Sequence, residues 1–204
     1  MSFPNALVST ELDAVNQILG AVGQAPVTTL DQTNPDVAIA YSTLLNVSRE
    51  VQAEGWSFNT ETEYTFTPDI NGHIAIASNI LSMDLSYLPE YMGIEVVRRD
   101  GKLYNKIDHT YIWTDPVKCD VVWLFEYEDL PVVFQDYVTA RAAVQASTKM
   151  IGDGAMYQQL QAKEAMARAN IMEYDCNQGD YSMFGYHRGS SYYNSYQPFK
   201  TLAR

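Results

Sequence analysis

The hydrophobic period of this chain changes twice, and those two changes constrain the fold more than any single residue does. Up to Gly55, apolar residues recur every three or four positions, the spacing of one helix face. From Trp56 to about residue 126 they alternate or form short runs broken by Pro, Gly, Asn and Asp, the pattern of strands and turns. From Leu130 the helical spacing returns. Helix, strand and helix in that order, over 204 residues, predict an α+β protein: an antiparallel helical bundle with an inserted small antiparallel β module. The expected limits are 1–55 and 127–176 for the bundle, 56–126 for a sandwich- or barrel-like insertion, and 177–204 for an extended C-terminal arm.

Punctuation supports the helical blocks. In "TELDAVNQILGAVG", Thr10 with Asp13 three residues on forms a variant capping box. Leu12, Val15, Ile18, Leu19 and Val22 share a face, and Gly23 and Pro26 stop the helix. Asn34 caps a second helix whose first position is Pro35, with Val37, Tyr41, Leu44, Leu45, Ser48 and Val51 inward. A third helix opens at Pro131 behind the acidic Glu128 and Asp129, which suit a helix N-terminus; its inward side is Val133, Phe134, Tyr137, Val138, Val144 and Met150. A fourth follows Gly152-Asp153-Gly154, with Leu160, Ala167, Ile171 and Tyr174 inward. In the β block, "EYTFTPD", "HIAIASN", "IEVVRRDGKLYN", "TYIWTD" and "CDVVWLFEYE" read as strands. Asp100-Gly101 is a hairpin turn, because both residues tolerate positive φ.

Charge limits the partners. The formal net charge is −12, and non-specific nucleic-acid binding runs on Lys and Arg neutralising phosphate, so the surface repels DNA while allowing it to slide past. Cys119 and Cys176 do not have metal-site spacing, and His73, His109 and His187 are scattered, so no metal or cofactor is expected. The start "MSFPNALVSTEL" lacks a secretory pattern, and no apolar run approaches membrane-spanning length, which points to a soluble protein made in the cytoplasm with no membrane anchor. "FEYEDLP" carries three carboxylates in four residues. With Trp113 and Trp123 as stacking faces, acids such as Glu126 could bind or hydrolyse a polysaccharide; the competing use is to support a helix start. No Walker loop, dinucleotide fingerprint or nucleophile elbow is present, and the chain reads as a non-enzyme.

The last 26 residues have neither period. Gly179, Gly185 and Gly189 bar a stable helix, while Tyr181, Phe184, Tyr186, Tyr192, Tyr193, Tyr196 and Phe199 are the residue types that anchor interfaces. With Arg188, this stretch from Asn177 carries a net charge of +2 against −14 for the rest. It reads as an arm that orders on an acidic neighbour or another protein; the alternative is a disordered end.

Four stretches in order, "ELDAVNQILGAVGQAPVTTL", "GWSFNTE", "YEDLP" and "MEYDCNQGDYSMFG", resemble the tail tubular protein A family, head-to-tail adaptors of short-tailed bacteriophages. The resemblance implies helices with an inserted β module and a structural role in the virion tail. It implies a homo-oligomeric ring, expected to be a dodecamer, between the portal protein and the nozzle (tail tubular protein B), helping to seat the tail fibre. Double-stranded DNA would be passing cargo only. The family has no catalytic residues to transfer; Gly55, Trp56, Phe58 and Pro131 are its structural motif positions here. A cellular scaffolding protein would explain the helices and arm but not the four ordered stretches.

Overall fold

The computed structural model describes residues 9–179. The chain divides into two compact units, Met1–Gly55 with Leu124–Tyr174, and Trp56–Trp123 with Asp175–Arg204. The protein is α+β.

The first unit contains α1 (Glu11–Ala21), α2 (Pro35–Gln52), α3 (Val132–Met150) and most of α4 (Gly154–Gly179). The Thr10 hydroxyl accepts from the Asp13 N–H at 3.2 Å and the Asp13 carboxylate accepts from the Thr10 N–H at 3.3 Å, so the capping box forms. Gly23 ends α1 at φ 77°. Asn34 caps α2 through the Asp36 N–H, with Pro35 in the first turn. The first three helices pack pairwise around Val15, Ile18, Leu19, Val37, Leu44, Val47, Phe134 and Val138, all buried. Each such side chain contributes about 1.5–3 kcal/mol on leaving water. α3 is the central element: Phe134, Gln135, Tyr137 to Ala140, Ala142 to Val144, Ala146 and Ser147 are all buried. A helix apolar on most sides is a buried one, and its alanines let neighbours approach closely.

Several inward assignments shift. Leu45 is 41 % exposed, because the buried arc of α2 runs through Ala40, Thr43, Leu44, Val47 and Ser48, leaving Leu45 one position beyond it. Val133 and Met150 are half-buried. In α4 only Ile171 is fully buried; Leu160, Ala167 and Tyr174 are half-buried. Pro131 is the N-cap residue of α3, not its first helical residue, and Glu128 and Asp129 lie in a separate 3-10 turn, Tyr127–Asp129. Residues 177–179, assigned to the arm, are helical, since α4 runs on to Gly179.

The second unit is built from β1 (Thr60–Phe66), β2 (Ile80–Leu85), β3 (Val96–Arg99), β4 (Lys102–Asn105) and β5 (Val117–Trp123). One antiparallel sheet has the order β1-β5-β2 and the other pairs β3 with β4. The hairpin between β3 and β4 turns on Asp100 (φ 52°) and Gly101 (φ 70°), the double positive φ of a type I′ turn. Phe66, Ile74, Ile76, Ile80, Leu103, Val117, Cys119 and Val121 form the core. Two expected strands are reduced to single bridges, Ala75 to Lys102 and Asn105 to Thr110. The alternation in "HIAIASN" comes from Ile74 and Ile76 pointing into the core, with bonds from the Leu103 N–H to Ile74 O and from the Ile76 N–H to Gly101 O at its ends. β2 carries no strand signal that the sequence makes plain, because its "ILSMDL" is at most half-buried beyond Ile80. "LFEYE" leaves the sheet after Trp123.

Candidate assembly surface

The motif stretches are held by side-chain amides that imitate a β ladder. In the first, the Asn16 amide donates to Val27 O at 2.9 Å and accepts from the Val27 N–H at 2.7 Å, tying the loop after α1 back to the helix. At the end of α2, fully buried Gln52 accepts from the Phe125 N–H at 2.8 Å and donates to Phe125 O and to the Ser48 hydroxyl, both at 3.0 Å. Gly55 follows at φ 76°, a conformation in which a side chain is strained.

In the β unit, Trp56 is buried and Phe58 half-buried. Asn59, 1 % exposed, accepts from the Trp56 N–H at 2.8 Å and donates to Trp123 O at 2.9 Å, while its own carbonyl accepts from the Trp123 N–H at 2.8 Å. The "YEDLP" stretch is fastened from α3. The Gln135 amide donates to Tyr127 O and Glu128 O, and the buried Tyr127 hydroxyl meets Thr139 Oγ1 at 2.8 Å. Burial raises the Tyr127 phenol above its ordinary pKa. Pro131 O accepts from the Phe134 and Gln135 N–H groups, starting α3.

A half-exposed ionic network joins three helices. Arg141 on α3 pairs with Glu50 of α2 at 3.4 Å and with Glu54, just beyond α2, at 3.5 Å, and Arg168 on α4 pairs with Glu54 at 2.7 Å. Tyr137 sits between the arginines: its hydroxyl accepts from Arg141 at 3.2 Å and its ring lies 5.5 Å from the Arg168 guanidinium.

The two tryptophans considered for sugar stacking are committed to the β core. Trp113 Nε1 donates to Leu103 O at 3.1 Å, and Trp123 meets Tyr64 edge-on at 5.4 Å; both are packed against the core cluster. Among the described residues Trp123 Nε1 is buried without a hydrogen-bond partner, which an open sugar-binding face would not produce. His73 Nδ1 lies 3.2 Å from Lys102 Nζ, and His109 Nδ1 lies 3.5 Å from the Tyr104 hydroxyl. His187 lies outside the described residues. Among the described residues no three His, Cys, Asp or Glu side chains converge on a metal position, and no helix is long and apolar enough to cross a membrane. Cys119 is buried, and burial followed by the charges of Asp120 and Asp84 pushes its thiol up to about 12; it stays protonated and inert.

Among the described residues, two clefts are bordered by exposed apolar side chains. In the β unit, Tyr87, Met92 and Ile107, each more than half exposed, border a cleft of about 700 Å³ shared with Leu88, Tyr91 and Ile94. In the helical unit a groove of about 340 Å³ is floored by Ala21, Ala140, Ala143 and Ala167 and rimmed by Leu160 and Met166. Met166 and Met172 on α4 are 72 % and 48 % exposed. Open clefts bordered by exposed apolar side chains suit contact with a macromolecule.

The sequence pointed to none of the amide clamps, since an isolated Gln or Asn reads as surface. The expected arm residues Tyr181, Phe184, Tyr186, Arg188, Tyr192, Tyr193, Tyr196 and Phe199 lie outside the described residues.

Residues 12–181 match the family model described as tail tubular protein. The chain is also 32 % identical over 121 residues to tail tubular protein A of Klebsiella phage KP34. That alignment covers 59 % of this chain and 62 % of the relative, so less than two thirds of the relative's length is spanned. With the family model covering most of its length, this chain belongs to the tail tubular protein family, structural components of the bacteriophage tail.

Proposed function

We propose that the protein is a non-enzymatic, ring-forming adaptor that joins the phage portal to the tail nozzle, surrounds part of the DNA ejection channel and helps seat the tail fibre. The observation that carries this reading is the family match over residues 12–181. In this reading α1 to α4 form an antiparallel bundle, the residues between Gly55 and Leu124 are an insertion, and the aromatic stretch beyond α4 is an arm that fastens the subunit to the portal or to the next subunit. Subunits are expected twelve to a ring. The net charge of −12 suits a conduit, because duplex DNA carries about one negative charge per 1.7 Å and a basic lining would hold it. The exposed Met166, Met172, Tyr87 and Met92 supply apolar area for neighbours to cover.

The test is electron microscopy of the purified chain, alone and mixed with the portal protein of the same phage, with and without truncation after Gly179. Rings on the portal that fail after truncation support both the adaptor role and the arm. Rings that persist assign docking to the folded units. A chain that ignores the portal ends the proposal.

A further inference from the structure

In a chain with 13 Lys and Arg, Arg98, Arg99, Lys102 and Lys106 fall within nine residues of the β3–β4 hairpin. Lys106 is neutralised by Glu95. Arg98, Arg99 and Lys102 form no ion pair with a carboxylate among the described residues. Arg99 is held against the Tyr104 ring, 4.3 Å from its centroid, so its guanidinium is oriented before any partner arrives. Among the described residues β3 pairs with β4 alone, so its outer edge carries no ladder there, and Val97 in β3 is 38 % exposed. An open basic edge with an apolar residue in it calls for an acidic protein partner.

The same chain carries a matching surface. Glu126, Glu128 and Asp129 are exposed, lie on and beside a single 3-10 turn, and also form no ion pair among the described residues. Phe125 beside them is 36 % exposed. Three residues of a 3-10 turn rise about 6 Å, comparable to the spread of basic groups across a two-stranded hairpin. The turn is itself held in place, since the Gln135 amide on α3 bonds to its backbone and the Tyr127 hydroxyl within it meets Thr139 of α3.

We propose that the basic edge of the β3–β4 hairpin (Arg98, Arg99, Lys102) docks on the Glu126–Asp129 turn of a second copy of this chain. Two different patches meeting head to tail make a heterologous contact, the kind that closes into a ring. This rests on the ring-forming reading above. It also answers a difficulty in that reading, because subunits of charge −12 repel one another. At physiological salt the repulsion is screened beyond about 8 Å, while guanidinium–carboxylate contacts at the interface keep their strength and set the register.

The experiment uses the full chain with the portal of the same phage, in three forms: wild type, R98E/R99E and E126K/E128K, with ring occupancy counted by electron microscopy and mass photometry. Each variant alone should need on the order of 100-fold more protein to assemble, since two attractive pairs become repulsive. An equimolar mixture of the two should assemble as wild type does, because both junctions of an alternating ring are then complementary. Recovery on mixing also shows that both variants are folded. Variants that assemble alone like wild type, or that fail to recover on mixing, overturn this contact while leaving the ring standing. Wild-type chain that forms no ring overturns the adaptor reading itself. Duplex DNA binding by wild type that R98E/R99E abolishes would assign the basic edge to phosphate and also overturn the proposal.

Discussion

Replacing Gln52 by Met removes the clamp at the end of α2 while keeping side-chain length and adding no charge. The native amide bonds to both the N–H and the carbonyl of Phe125 and to the Ser48 hydroxyl. Taking away the partner of a buried backbone group costs about 1–3 kcal/mol, and two are affected. Both bonds to the Phe125 backbone are only partly buried, so the lower half of the range applies. The expected loss is about 2–4 kcal/mol, or a fall in Tm of about 5–15 °C for a chain this long. Ser48→Ala, which removes only the third bond, should cost about 1 kcal/mol. Urea unfolding gives the magnitude, and hydrogen exchange of peptides covering 44–55 and 124–135 locates it. A loss below about 0.5 kcal/mol, or exchange unchanged at the Phe125 amide, would falsify the reasoning that the amide substitutes for a backbone ladder.

Thr10→Ala removes the capping box of α1 and should cost about 1 kcal/mol, read by thermal unfolding, with Thr10→Ser close to wild type. Gly72→Ala should destabilise more than Gly101→Ala, although both have positive φ. A Cβ at Gly72 would come within 2.9 Å of Ile112 Cγ2 and 3.2 Å of Trp113 O, whereas Gly101 faces open space; equal losses in urea unfolding would contradict the packing argument. A thiol reagent at pH 8 should titrate Cys176 at once and Cys119 only after unfolding. Because the folded Cys119 pKa is raised to about 12 from 9.0, the folded state holds its proton longer than the unfolded chain does. Its contribution to stability is therefore complete below pH 9 and is lost as pH rises towards 12. Cys119→Val should flatten that part of the alkaline stability profile.

Period, caps and turn chemistry made much of the fold legible. Thr10, Asn34, Gly23 and Asp100-Gly101 each act through neighbours a few residues away, so their roles can be read from local sequence. Helical spacing shows which residues share a face but not how wide a neighbour covers it, so it places Leu45, Val133 and most of the inward residues of α4 too deep. "HIAIASN" alternates like a strand because alternation reports burial, and burial does not require a continuous ladder. The stretches with family resemblance could be recognised as patterns, yet their physical content could not. Asn16, Gln52 and Asn59 act on Val27, Phe125 and Trp123, and the last two partners are more than 60 residues away. The unpaired basic edge was equally hidden, since a charge run in sequence does not reveal which members find partners in the fold.

The clamps at Gln52 and Asn59 bear on how such proteins diversify. On the helical side Gln52 holds Phe125, and on the β side Asn59 holds Trp123. Within each unit, the residue near which the chain leaves and the residue near which it returns are already within hydrogen-bond reach. Closing either gap therefore needs only a few residues of linker. Recombination that exchanges everything between Gly55 and Leu124 replaces one closed loop by another and leaves the Gln52 clamp intact on the helical side. The two units can then change at different rates within one gene.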